Sequence, residues 1–331
     1  MPPTRQALRA AIANCYTKSN ARASLTAVVD IAAFCLFFGL AATSGPLLLR
    51  IPSAFAEAIC MARLFILGHD VCHGSLFTRP WQRAIFGRIL FLPTLTTYSL
   101  WQIGHNSVHH GYTNLKGRDS VWPPFSPQEF ASLPPLRRAL EHVYRSPIGQ
   151  GLYYFCEIWW KQLFQPAPTR STRPSYWLDS WLVAAFAALA IGVAKTPTAI
   201  ILSCLLPFAF WNHLMGLVIY LHHTHPDTKW YRDRESWSFT AGQLDSTIHA
   251  ELPFGLHRLL HNILEHTAHH IDVTIPFYAL PKAQRQLEET FQGHIVRQPW
   301  SWRAFLHTTR TCQLFDFDRQ TWVPFRPPAT P

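Results

Sequence analysis

Residues 51–74 read IPSAFAEAICMARLFILGHDVCHG, an apolar run that closes on His69-Asp70-Val71-Cys72-His73. Up to residue 68 only Glu57 and Arg63 carry charge. Residues four apart sit one turn above each other on a helix, so His69 and His73 share a face. Two more clusters repeat the pattern: His105-Asn106-Ser107-Val108-His109-His110 and His266-Thr267-Ala268-His269-His270. His105 with His109, and His266 with both His269 and His270, have the same helical spacing. Imidazoles arranged this way in three places can converge on a metal centre, because the neutral ring offers a lone pair near neutral pH. A lone histidine at a helix end is an ordinary surface or packing residue; His142, His249, His294 and His307 are read that way.

Three other apolar runs accompany the first: residues 25–49, marred by Asp30, then 177–194 and 197–221. Each approaches the roughly 20 residues that cross a bilayer as a helix. Four buried helices of a soluble bundle are the alternative, which such long uninterrupted runs disfavour. Residues 25–49 exceed the ~7–15 apolar residues of a secretory signal and no small-residue cleavage site follows, so they read as a retained span. The expected fold is an all-α integral membrane protein. Four transmembrane helices form two hairpins, joined by interfacial helices and a cytoplasmic histidine-rich helical cap. The chain reads as one domain over 1–331: a cytoplasmic N-terminal segment (1–24), membrane hairpins (25–221) around a central cytoplasmic loop (70–175), and a cytoplasmic cap and tail (222–331).

Charge sets the expected orientation. The net charge is +10. Arg5, Arg9, Lys18 and Arg22 precede the first span, and further cations fill residues 70–175 and the stretch after 221. The short connections carry only Arg50 and Lys195. Positive residues gather on the cytoplasmic side, which places the N-terminus, the central loop and the C-terminal region there. Residues 84–101 are apolar again, interrupted by Arg88 and Pro93. A single crossing by them would put the second histidine cluster across the membrane from the first, so they are predicted to be re-entrant or interfacial. Residues 112–135 are proline-rich and predicted irregular, residues 165–175 a linker, 253–270 helical and 323–331 a frayed tail. No basic stripe or reading motif supports nucleic-acid binding. The seven cysteines contain no Cys-x-x-Cys pair, which argues against a disulfide framework, an iron–sulfur cluster or a thiol redox motif. The pairs Trp159/Trp160 and Trp300/Trp302 suit either a lipid interface or ordinary packing.

The three clusters, in this order and at these intervals, resemble the histidine boxes of membrane fatty acid desaturases, with the delta-12 (omega-6) acyl-lipid branch the most similar. The local context agrees: Gly68 and Gly74 around the first box, Tyr220-Leu221-His222-His223-Thr224-His225-Pro226, and His261-Asn262 ahead of the third box with Ile275-Pro276 after it. The likeness covers roughly residues 50 to 290. It implies a non-haem diiron centre held almost wholly by histidine, with His69, His73, His105, His109, His110, His266, His269 and His270 matching the boxes. A further ligand is expected near the end of the fourth span. His223 follows Tyr220 at the family's spacing, with His225 and His222 as rivals. His261, Asp70 and Asp119 are expected beside the ligands, orienting imidazole N–H groups. Zinc has no redox chemistry and its structural sites take four ligands, so this many histidines suit two ions better. The carboxylate ligands of soluble diiron bundles have no counterpart here.

The resemblance further implies that dioxygen is the co-substrate and that a cis double bond enters a fatty acyl chain linked to lipid, CoA or acyl carrier protein (ACP). No Gly-x-Gly-x-x-Gly fingerprint and no His-Pro-Gly-Gly haem signature is present, so electrons come from a separate donor of ferredoxin or cytochrome b5 type. The expected setting is among membrane lipids, in a bacterial inner membrane with the site on the cytoplasmic side. A hydroxylase or acetylenase using the same site is one alternative. A metal-binding or metal-transport membrane protein is the other; transport sites lie near the midplane, whereas only His213 falls inside a span here.

Overall fold

The computed structural model describes residues 3–164 and 174–326. Among the described residues four helices are long and apolar enough to cross a membrane: α1 (Asn20–Ala42), α2 (Leu47–His73), α4 (Pro174–Ala194) and α5 (Pro197–His223), the last with a π-helical turn at Ile201–Leu205. Between α2 and α4, α3 (Pro80–Phe91) has 12 residues. At 1.5 Å per residue it is about 18 Å long, well short of the ~30 Å hydrocarbon core. Pro80 opens α3 and Pro93 closes the apolar segment behind it. α2 is the inner helix. α1 and α4 lie outermost, where Leu25, Val28 and Leu36 of one and Trp181, Leu189 and Val193 of the other are each more than half exposed. Side chains of that kind suit a lipid neighbour.

Local chemistry sets the ends. Ser19 Oγ accepts from Arg22 N (3.2 Å) and starts α1. The chain breaks at Thr43–Pro46, so the first span stops short of the expected residue 49 and Leu47–Leu49 open α2 instead. Gly45-Pro46 explains this, since proline cannot continue a helix but readily precedes one. Arg50, expected in the connection, lies inside α2 and donates from Nε to Ala41 O (3.0 Å). At the other end Gly74 takes φ 72°, and Ser75 N donates to Asp70 O (3.1 Å). This glycine cap ends α2 at His73. Gly68 lets α2 approach the next layer, because a Cβ there would lie 2.7 Å from the Phe91 ring.

Three other expectations need correction. Residues 253–270 are not one helix: Pro253–Leu260 is a kinked 3-10 stretch with positive φ at Phe254 and Gly255, His261 and Asn262 reverse the chain, and α6 runs only over His266–Ile271. The all-helical description also gives way in detail. β1 (Ile248–Glu251) pairs in parallel with β2 (Val296–Pro299), and β3 (Leu314–Asp316) pairs antiparallel with β4 (Thr321–Val323). Within 112–135 a short helix, Pro127–Ser132, forms behind a Ser126/Glu129 capping box. The expected linker falls mostly on residues 165–173, outside the described residues, as does the tail beyond 326.

Charged groups inside the apolar runs are partnered at two places: Arg88 Nε of α3 donates to Asp179 of α4 (2.6 Å), and a second cluster forms around Asp30. Asp30 of α1 accepts from Arg63 Nη2 (2.7 Å) and Nε (2.8 Å) of α2, and its other oxygen meets His261 Nε2 (2.6 Å). Arg63 also donates to Leu259 O (3.0 Å). One buried carboxylate thus ties two spans to the turn that leads into α6. Asp30→Ala strips the acceptor from both partners, and breaking such a buried pair from one side costs ~3 kcal/mol. The melting temperature of the purified protein should fall clearly; an unchanged value contradicts this role.

Candidate metal centre

The end of α2, a π-helix over Gln102–His109, the end of α5 and α6 bring their histidines to one place. His69, His73, His105, His110 and His269 each present a ring nitrogen, and these nitrogens all lie within 4.8 Å of one another; His109, His223, His266 and His270 form a second group on the same criterion. The groups adjoin, with the His110 and His270 rings 4.1 Å apart. Nε2 atoms face each other: His69 with His73 at 3.2 Å, His105 with His110 at 3.0 Å, His110 with His269 at 3.2 Å, and His223 with His266 at 2.9 Å.

Helical spacing predicted this only in part. His69 and His73 share a group, as do His266 and His270. His105 does not pair with His109. The π-helix hydrogen bond from His110 N to His105 O (3.1 Å) shifts the register by one, so His110 joins His105 while His109 faces the other group. His269 likewise parts from His266. One widened turn and one short helix thus distribute neighbouring residues between two groups.

Four of the outer nitrogens have acceptors, whereas His110, His266 and His269 Nδ1 are buried with no partner among the described residues. His109 Nδ1 meets both Asp119 oxygens (3.0 and 3.1 Å), His223 Nδ1 meets Ser246 O (3.0 Å), His270 Nδ1 meets Gln243 Oε1 (2.7 Å) and His69 Nδ1 meets Asp70 Oδ1 (3.1 Å). An acceptor on the outer nitrogen sets the tautomer and turns the inner lone pair toward a metal. Asp70 and Asp119 thus hold the positions expected for them. Asp119 also accepts from Asn114 N (2.8 Å) and Val121 N (3.0 Å), which pins the carboxylate. His261 does not stand beside the ligands; it is committed to Asp30. His225 turns away to Gln298 (2.9 Å), and His222 stacks on His266 (3.6 Å between centroids) outside both groups. Gln243 and Ser246 escaped the sequence reading. Only their proximity in space identifies them, since polar residues of this kind carry no spacing signal.

The donor set fits cations. Burial first, and then crowding by neighbouring imidazoles, pushes His105, His110, His266, His269 and His270 well below the ordinary histidine range, so these rings are neutral. His270 Nε2 is buried with no hydrogen-bond partner among the described residues, although its other nitrogen is satisfied. Two groups of five and four nitrogen donors exceed what one tetrahedral ion takes. Beside the histidines runs a mainly apolar cavity walled by Trp101, Val121, Ile158, Leu163 and Ile219. At Gly104, Ser120 and Gln162 it borders a wide polar pocket that includes Arg137, Glu157 and Lys161.

Asp119→Ala should lower metal affinity ~10–100-fold, whereas His225→Ala should leave metal content unchanged; elemental analysis of the purified variants checks both. The neutral rings also give a pH dependence with a definite sign. Below the ordinary histidine value near 6.5 the unfolded chain takes up protons that the folded chain refuses, so stability falls as pH falls. The metal-free protein should therefore melt progressively lower from about pH 6.5 downward, near the ordinary histidine pKa. A flat profile contradicts the burial of neutral imidazoles.

Comparison with known proteins agrees with this geometry. A family model described as fatty acid desaturase matches residues 45–302. An omega-6 fatty acid desaturase of the chloroplast from Brassica napus is 28% identical over 83% of this chain and 62% of its own length. An sn-1 oleoyl-lipid 12-desaturase from Picosynechococcus sp. is 28% identical over 82% of this chain and 78% of its own. An sn-1 acyl-lipid omega-3 desaturase (ferredoxin) from Nostoc sp. is 27% identical over 75% of this chain and 70% of its own. The chain thus spans less than two thirds of the plant relative's length. Matched across most of its residues, the chain belongs to the fatty acid desaturase family.

Proposed function

We propose that this protein introduces a cis double bond into a fatty acyl chain in an oxygen-dependent reaction of the delta-12 (omega-6) type. The observation that carries the reading is the pair of adjoining imidazole groups with an apolar cavity against them. In this reading His69, His73, His105, His110 and His269 hold one iron ion, and His109, His223, His266 and His270 the other. When bound, the iron pair supplies oxygen activation, so that an alkyl CH2–CH2 unit, dioxygen, two electrons and two protons become CH=CH and two waters.

The chain's own residues do the rest. Asp119, Ser246 and Gln243 hold His109, His223 and His270 in orientation. Trp101 stacks on His105 (4.5 Å between centroids) and, with Val121, Ile158 and Ile219, excludes water from the place where a methylene would lie. Ser120 donates to Gln162 Oε1 (2.9 Å) where cavity and polar pocket meet, so a polar headgroup would stay outside while its acyl chain passes Gly104. This favours a lipid-linked substrate, as in the names of the Picosynechococcus and Nostoc relatives. No acid–base pair is needed, because an alkyl chain has no acidic proton.

The same reading sets the topology. The four candidate spans form two hairpins, α3 stays in the interface on account of its length, and all histidine clusters share the cytoplasmic face with the cap and tail. Residues 1–331 act as one domain, and a separate electron donor of ferredoxin or cytochrome b5 type serves it.

Gas chromatography of fatty acids from an oleate-producing host tests the reading. Cells expressing the wild type should accumulate a new dienoic acid, and cells expressing His109→Ala should match the empty vector. A wild-type profile identical to the empty vector contradicts it; hydroxylated or acetylenic products without new cis double bonds transfer the site to a different outcome of the same chemistry.

A further inference from the structure

Glu57 of α2 is 2% exposed, and its Oε2 has no hydrogen-bond partner among the described residues. Arg50, seven residues earlier on the same helix, is engaged with Ala41 O and makes no ion pair with it among the described residues. Polar groups inside a membrane span are costly and mark functional sites by default. Glu57 lines a cavity enclosed by α1, α2, the Pro93–Leu95 turn, α4 and α5. Its walls are otherwise nearly all apolar, with four phenylalanine rings, Phe34, Phe38, Phe186 and Phe208. Ser203 and Cys204 also line it, from the π-helical turn of α5. Turns of this kind recur at functional sites. Ser203 Oγ is occupied by Ala199 O (2.9 Å), so it leaves Glu57 unserved.

This cavity is separate from the one beside the histidines and shares no wall residue with it. Between them Phe65 packs on Trp101 (4.7 Å) and Trp211 (5.4 Å), and Trp159 packs on Phe208 (4.9 Å). The outer walls belong to α1 and α4, which face lipid, so a hydrophobic molecule reaches it from the bilayer. Aromatic faces favour a flat ring over an alkyl chain. A carboxyl with no cation beside it offers an O–H to a carbonyl oxygen.

We propose that the cavity at Glu57 is a binding site for a lipophilic molecule with a planar carbonyl ring, of the quinone class, seated among the phenylalanines with its carbonyl on the Glu57 carboxyl. The binding involves no covalent step, and it stands independently of the desaturation reading.

The test uses the purified holoprotein in nanodiscs, with decylubiquinone and the matched hydrocarbon decylbenzene as probes. The quinone should raise the melting temperature saturably, and decylbenzene should not. Glu57→Gln keeps a donor N–H and should retain binding. Glu57→Leu should weaken the apparent Kd ~tenfold or more, the equivalent of one buried hydrogen bond. Ala190→Trp, which fills the cavity from α4, should abolish binding with the carboxyl intact and guards against a folding defect in the leucine variant. Equal effects of the two probes, or undiminished quinone binding by Glu57→Leu, overturn the proposal. Displacement of the quinone by an oleoyl lipid also overturns it, by making the cavity an extension of the acyl channel.

Discussion

Imidazole nitrogens that face one another inside a protein repel protons and attract a shared cation. Everything around the two histidine groups serves that constraint. The rings must be uncharged, so seven of the nine are buried and His73 and His105 are half-buried. One nitrogen must aim inward, and at His109, His270 and His223 the acceptors Asp119, Gln243 and Ser246 hold the other. The helices must deliver their histidines at the right level, so Gly74 stops α2 immediately after His73. The surrounding layers must come close, so Gly68 leaves room for the Phe91 ring. The four long apolar helices are then the frame that holds the ends of four chain segments together.

Much of this was legible in the sequence, for identifiable reasons. Long apolar runs report spans because the bilayer demands them, and a four-residue histidine repeat reports a helix face because helical geometry demands it. The spacing failed where the backbone departed from the α-helix. Nothing in Gln102–His109 announces a π-helix, and that one widened turn decides that His110 rather than His109 accompanies His105. The run ending at residue 49 looked continuous because Gly45-Pro46 is a short break between an apolar helix and Leu47-Leu48-Leu49. His261 looked like a companion of the third box because the sequence does not reveal Asp30, 231 residues away, as its partner. Gln243 and Ser246 were invisible for the same reason: they act through space, on rings far along the chain.

The charged residues within the spans show two different solutions to one problem. Asp30 and Arg63 neutralise each other and use the surplus oxygen to anchor His261, a structural role that needs no ligand. Glu57 lies on the same helix as Arg63 but has no hydrogen-bond partner for Oε2 among the described residues and nearly all apolar walls around it. A carboxyl retained without a partner differs in kind from one retained as a fastening. The same distinction separates His249, held between Glu265 and Glu288 at 2.6 Å each and raised to about 9 by those carboxylates against the effect of burial, from the neutral histidines of the centre. Histidine count alone tells little. The partners of each ring decide whether it is a cation in a salt bridge or a lone pair awaiting a metal.

X-ray absorption at the iron edge of the purified protein addresses the central claim most directly. The account predicts two iron ions per chain, each in a shell of histidine nitrogen without sulfur, with a second iron within a few ångströms. A single ion, a zinc-filled tetrahedral site, or a shell dominated by carboxylate oxygen or sulfur would contradict it.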